Sequence, residues 1–123
     1  ALRTILLIED HADNAHTLAT LLQHAGHTVI VSRDGHDAVK LAERFSPDAV
    51  LLDLGLPGID GYNVAAALRQ SAAAANALII AISGYGQQRD RDRSLAAGID
   101  RHLIKPVELG VLLALLATEP LRE

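Results

Sequence analysis

Five polar residues, Glu9, Asp10, Asp53, Ser83 and Lys105, each stand at the end of a short apolar run, and together they could do chemistry in one crevice. Three carboxylates gathered there repel one another, by about 4 kcal/mol for a pair roughly 4 Å apart at an effective dielectric near 20. Lys105 offsets only part of this. The acidic trio therefore implies a hard divalent cation with oxygen ligands, and Mg²⁺ suits a site that keeps waters and awaits a phosphate oxygen. Beside such a cation a carboxylate can attack phosphorus and form an acyl phosphate, and Asp53 is the candidate nucleophile. Lys105 would neutralise charge on the transferring group, and the Ser83 hydroxyl would bond one of its oxygens. Taken singly, each residue has a plainer reading. Strand-end acids cap helices or sit in solvated turns, a lone serine forms turns, and a lysine before proline is surface charge. Only their joint placement carries the inference.

That placement needs elements to create it. The apolar run TILLI, Thr4 to Ile8, has the pattern of a strand covered on both faces, as in a parallel sheet. Similar runs follow at Thr28 to Val31, Ala49 to Leu52, Leu78 to Ile82 and His102 to Ile104. Helical spacing lies between them: Leu18, Leu21, Leu22 and Ala25; Ala38, Leu41, Ala42 and Phe45; Val64, Ala65 and Leu68; then segments near Asp90 to Ala97 and Val107 to Ala117. Gly26 and Gly98 sit where glycines end helices, and Pro47 precedes the third strand. The alternation predicts an α/β fold with a parallel five-stranded sheet, helices on both faces and right-handed crossovers. In such sheets the functional crevice lies at the carboxyl ends of the strands, where the five polar residues stand.

Composition narrows the function. At 123 residues the chain is one domain's worth, and residues 1–123 are expected to form a single unit. Half the residues are hydrophobic but 2% are aromatic, so the core is aliphatic. A net charge of -4, from 11 basic and 15 acidic residues, gives no electrostatic reason to bind nucleic acid, and proteins are the expected partners. There is no cysteine, which excludes disulfides and zinc-thiolate sites and suits a reducing cytoplasm. No apolar run approaches the roughly 20 residues of a membrane span, so no membrane insertion is expected. Methionine is absent even at position 1, and the expectation is a fragment of a longer protein.

The motifs LLIEDHADN, VLLDLGLPGIDGY, IIAISGYGQ and HLIKPVE, in this order and spacing, resemble the receiver domains of bacterial response regulators and hybrid histidine kinases, over nearly the whole chain. The resemblance implies a flavodoxin-like fold with strand order 2-1-3-4-5. It implies a signalling domain rather than an enzyme, taking a phosphoryl group on Asp53 from a histidine kinase or a histidine phosphotransfer protein. It implies Mg²⁺ held directly by Asp10 and Asp53 and by the Gly55 main-chain carbonyl, with Glu9 acting through water. Ser83 and Lys105 match the hydroxyl and lysine that engage the phosphoryl group, and the Lys105-Pro106 bond would be cis. Gly55 replaces a larger residue that could shield the acyl phosphate. His102 stands where many receivers carry Tyr or Phe as a switch, and would turn inward once Ser83 is drawn to a phosphoryl oxygen. DLGLPG, SGYGQ and HLIKPV look more like receivers attached to hybrid kinases than like those preceding DNA-binding domains.

Other features have plain readings. The six histidines form no metal motif, and His24 and His27, straddling a helix end, read as exposed polar residues. Gly84 and Gly86 lack the longer glycine fingerprint of a phosphate loop. In QQRDRDR, Arg89 with Asp92 or Asp90 with Arg93 are spaced for weak pairs on a solvated helix face. The last helix, VELGVLLALLA, is apolar almost all round, more than one buried face requires, and could contact a second copy or the rest of a longer chain. A haloacid-dehalogenase-type phosphohydrolase needs a second Asp where Gly55 stands. A flavodoxin needs a Ser/Thr/Gly-rich phosphate loop where Glu9 and Asp10 stand. A degenerate receiver would lack the acceptor, the lysine or the acidic pair, and all are present.

Overall fold

The computed structural model describes residues 3–84 and 90–118. The elements alternate along the chain: β1 (Thr4–Ile8), α1 (Ala12–His24), β2 (Thr28–Ser32), α2 (Ala38–Phe45), β3 (Ala49–Asp53), α3 (Gly61–Gln70), β4 (Leu78–Ser83), α4 (Arg91–Ala97), β5 (Arg101–Ile104) and α5 (Leu109–Thr118). The five strands form one parallel sheet in the order β2-β1-β3-β4-β5. This is the flavodoxin-like arrangement that the resemblance implied.

Side chains alternate across the sheet, and each face has its own core. Leu6, Ile8, Val50, Leu52 and Ile79 face α2, α3 and α4 and meet Ala42, Leu68 and Ala97. Ile5, Leu7, Leu51 and Ile80 face the other way and meet Leu22, Leu112 and Leu116 of α1 and α5. Both faces being covered explains why β1, β3 and β4 are unbroken apolar runs rather than alternating ones.

Several boundaries differ from the sequence expectation. β2, β3 and β4 each extend one residue further, so Asp53 and Ser83 are the last strand residues, and β5 begins at Arg101. Asp90 lies outside α4 as its N-cap, its side chain accepting from Arg93 N at 3.0 Å. Val107 and Glu108 precede α5, and the Glu108 carbonyl accepts from Leu112 N at the helix start. Val107 is apolar because it packs in the α1–α5 core, not because it is helical. Gly98 ends α4 at φ 80°, a left-handed conformation that glycine adopts without a Cβ penalty.

His27 is buried rather than exposed. Its Nδ1 accepts from Arg3 N at 3.0 Å, and burial, chiefly, holds its pKa below the ordinary value. Arg3 is buried as well and donates Nε–H to the Leu116 carbonyl at 2.5 Å. It thereby brings positive charge to the end of α5, whose last turn has no basic residue of its own.

The end of the sheet remote from the five polar residues is fastened by Arg69. Its guanidinium donates to the carbonyls of Gly98 and Ala77 at 3.0 and 2.6 Å and to Asp100 Oδ2 at 2.6 Å, and Asp100 Oδ2 also accepts from Ile79 N. One side chain thus joins α3, the segment entering β4 and the turn into β5. Replacing Arg69 with Leu leaves buried carbonyls and Asp100 without these donors and is expected to destabilise the fold by roughly 2–4 kcal/mol. A urea titration should show a lower midpoint with an unchanged m-value.

Candidate functional site

At the other end of the sheet, the strand order dictates which residues meet. β1 lies beside β3, so the residues leaving β1 face the last residue of β3. Glu9, Asp10 and Asp53 each bring a carboxylate oxygen to within 4.8 Å of the others. Asp53 is 4% exposed and Glu9 7%. Lys105, arriving from the far side of β4, places Nζ 2.7 Å from Asp53 Oδ2 and 3.7 Å from Glu9 Oε1. Gly55 N donates to Asp53 Oδ1 at 2.7 Å, so both acceptor oxygens are engaged. The Lys105-Pro106 peptide is cis, and Lys105 N donates to the Ser83 carbonyl at 2.8 Å.

Two adjacent buried carboxylates do not ionise together easily. Burial, then the hydrogen bond with Asp53 and that group's charge, raise Glu9 to about 7 against the pull of Lys105. Burial would raise Asp53 too. Hydrogen bonds from Glu9, Lys105 and Gly55 N outweigh it and hold Asp53 below the usual aspartate value. Below about pH 7 the pair therefore keeps its proton on Glu9, with Asp53 the ionised partner. Burial likewise opposes the charge on Lys105, but its contact with Asp53 prevails and its pKa is raised.

The donor set fits a hard cation: three carboxylate oxygens on a rigid strand-end frame, with excess negative charge that one lysine leaves uncompensated. The acidic pair is held from outside by residues that sequence reasoning missed. Glu9 N donates to the Ser32 carbonyl at 3.0 Å, and Arg33 donates to the Asp10 carbonyl at 2.8 Å. Ser32 is fully buried, and its hydroxyl donates to Asp37 and accepts from Gly35 N. No local pattern in SRDGHD announces these contacts, because they depend on β2 lying against β1.

Ser83 ends β4, 3% exposed, with Oγ 2.8 Å from His102 Nε2. His102 was expected to turn inward once Ser83 is drawn to a phosphoryl oxygen, and in this structure its ring already touches Ser83. Arg93 also departs from expectation. It binds Asp60, the N-cap of α3, instead of the side chain of Asp90, and its guanidinium lies 4.4 Å over the Tyr62 ring. Gly86 and Arg89 lie outside the described residues. A cleft of about 570 Å³ opens beside Asp53 and Lys105, lined on α1 by Asn14, Thr17, Leu18 and Leu21 and closed by Pro106 and Val107. Among the described residues no helix is long and apolar enough to cross a membrane.

A parallel sheet of this order with acids at β1 and β3 and a lysine after β5 defines a phosphoacceptor class of α/β protein. Residues 5–117 match the response regulator receiver domain model, and the chain belongs to that family, the phosphoacceptor module of two-component signalling. It is 39% identical over 110 residues to the transcriptional regulatory protein TcrA of Mycobacterium tuberculosis, covering 89% of this chain but 43% of that protein. It is 30% identical over 109 residues to the protein PilH of Pseudomonas aeruginosa, covering 89% and 90% of the two chains. Among solved structures, the receiver domain of the Pseudomonas aeruginosa sensor histidine kinase PA1611, which has a magnesium ion in its active site cleft, aligns with TM-score 0.82 and 35% identity over 94% of this chain and 95% of that one. The chemotaxis protein CheY4 of Vibrio cholerae aligns with TM-score 0.86 at 23% identity, covering 95% and 98%, a likeness of fold.

The raised Glu9 has a consequence for stability. Its folded pKa of about 7 exceeds the ordinary 4.5, so its contribution is fully present below about 4.5 and is lost as pH rises through 7. His27, with a lowered pKa, slopes the opposite way below about 6.5 and does so equally in a Glu9 variant. In chelator, the melting temperature of wild type relative to Glu9→Gln should fall between pH 5 and 8, and excess Mg²⁺ should reverse most of that fall.

Proposed function

We propose that Asp53 is the phosphoacceptor and that the strand-end site takes a phosphoryl group from a phosphohistidine of a histidine kinase or histidine phosphotransfer protein. The observation that carries this reading is the Lys105 ammonium 2.7 Å from an ionised, buried Asp53 inside an acidic cluster. An Asp53 carboxylate oxygen attacks phosphorus, the phosphorus–nitrogen bond breaks, and its electron pair returns to the imidazole, which gains a proton. Lys105 and Ser83 take the phosphoryl oxygens, so the site works by position and charge. Asp10, Asp53 and the Gly55 carbonyl would hold Mg²⁺, with Glu9 through water, and that cation supplies charge neutralisation at the phosphoryl oxygens when bound. Gly55 sets no side chain over the acyl phosphate, which leaves it open to water.

The cleft beside α1 offers the donor protein an apolar surface leading to Asp53. The response face is assigned to α4, β5 and α5, where Leu95, Ile104 and Val111 are 81%, 61% and 43% exposed, available to a second copy or to the rest of a longer chain. The chain spans less than half of TcrA, so what such a face controls depends on the whole protein. A cytoplasmic location follows from a kinase donor, and attachment to a hybrid kinase is the arrangement that the HLIKPV and DLGLPG segments favour.

With acetyl phosphate and Mg²⁺, the wild-type intact mass should rise by one phosphoryl group and that of Asp53→Asn should not. A phosphorylated Asp53→Asn protein would overturn the assignment. Asp10→Ala should weaken calorimetric Mg²⁺ binding at least tenfold, and equal binding by the two proteins would remove Asp10 from the ligand set.

A further inference from the structure

The phosphoryl-binding hydroxyl has a side-chain partner before any phosphoryl group arrives. In the β4–β5 register Ala81 stands opposite His102 and Ser83 opposite Ile104, so His102 and Ser83 are diagonal neighbours on one face of the sheet. At that spacing a long side chain reaches across, and His102 Nε2 ends 2.8 Å from Ser83 Oγ. The Ser83 main chain is held from the same side, its carbonyl accepting from Lys105 N.

A serine hydroxyl has one proton to donate and two lone pairs, and its rotor turns to suit its partners. If Nε2 accepted the Ser83 proton, that bond would have to break before Ser83 could donate to a phosphoryl oxygen. If Nε2 carries hydrogen and donates, Oγ is fixed while its single proton remains available. The second arrangement holds the rotor without using the hydroxyl's donor. Ser83 is nearly enclosed, so a fixed rotor there has few competing waters.

We propose that His102 is a positioning residue for phosphoryl capture: its Nε2–H holds Ser83 Oγ and leaves the Ser83 proton aimed at an oxygen of the group on Asp53. This rests on the reading of Asp53 as phosphoacceptor. The role differs from that of a rotating ring, which would depend on bulk and not on a hydrogen bond. His102 touches no reacting atom and acts through Ser83 alone.

The test measures beryllofluoride affinity with Mg²⁺, together with the acetyl phosphate labelling rate, in wild type, His102→Gln, His102→Phe, His102→Ala, Ser83→Ala and the Ser83→Ala/His102→Phe double variant. Glutamine can set an amide N–H near the position of Nε2, whereas phenylalanine keeps the ring and loses the donor. His102→Gln should stay within about twofold of wild type, and His102→Phe and His102→Ala should bind about five- to tenfold more weakly, the effect of one lost hydrogen bond. In the Ser83→Ala background His102→Phe should cause no further loss, because the two residues act as one unit. Wild-type affinity in His102→Phe and His102→Ala, or losses that multiply in the double variant, would overturn the proposal. Thermal melts identify any variant that fails to fold, and the alanine variant then stands in for the phenylalanine one. A wild-type protein that binds beryllofluoride normally while these variants show no loss defeats only the His102 role. A wild type that neither binds it nor gains phosphoryl mass defeats the Asp53 reading as well.

Discussion

An ionised Asp53 buried against Glu9 needs positive charge delivered to it, and the strand order determines where that charge can come from. Adjacent strands lie about 4.8 Å apart, so β5 runs roughly 10 Å from β3 with β4 between them. Only a long side chain starting at the end of β5 spans that gap. Lys105 does so, and its ammonium reaches Asp53 Oδ2 at 2.7 Å. The single lysine cannot satisfy both carboxylates, and the raised pKa of Glu9 is the sign of the shortfall. A divalent cation would replace the proton on Glu9 and let that group ionise, which ties the metal to the local protonation state by simple electrostatics.

The same geometry explains which parts were legible in the sequence. Strands covered on both faces have to be apolar runs, so β1, β3 and β4 stood out and their ends pointed to Asp53 and Ser83. Gly98 was readable as a helix end because a left-handed residue after α4 needs the absence of a Cβ. His27 was misread because it lies among polar residues at the end of α1, and nothing nearby indicates that Arg3 N–H arrives from the edge of β1 to meet its ring. Arg93 was paired with its helical neighbour by spacing alone. Its guanidinium instead finds Asp60 and the face of Tyr62, which α3 brings beside α4. The supports from Ser32 and Arg33 to the acidic pair were equally hidden. Each miss is a contact between elements distant in the chain, where local pattern has no information.

The two ends of the sheet are held by different physics. At the amino ends, charged side chains bond largely to backbone groups: Arg69 to the carbonyls of Ala77 and Gly98 as well as to Asp100, Arg3 to Leu116, and Asp48 to Thr4 N. Such bonds are local and mutually supporting, and breaking one strands buried polar atoms. They define the fixed end of the molecule. At the carboxyl ends, the charged groups also pair with one another, Lys105 with Asp53 and Asp60 with Arg93. Side chain to side chain bonds can be exchanged for bonds to a new anion without unfolding any strand.

That contrast sets the direction in which a signal could spread. A phosphoryl group on Asp53 would compete for Lys105, whose ammonium is bonded to Asp53 and lies near Glu9, and would take the Ser83 proton that the contact with His102 leaves available. Because Lys105 N is bonded to the Ser83 carbonyl, displacement of one residue acts on the main chain of the other. Arg69 and Asp100 fasten the amino end of β4. The adjustment would then fall on the end of β4, on β5 and on the start of α4, which Tyr62 and Arg93 tie to the start of α3. A fastened far end and an exchangeable near end would convert a local change of charge into a change of surface on one side of the sheet.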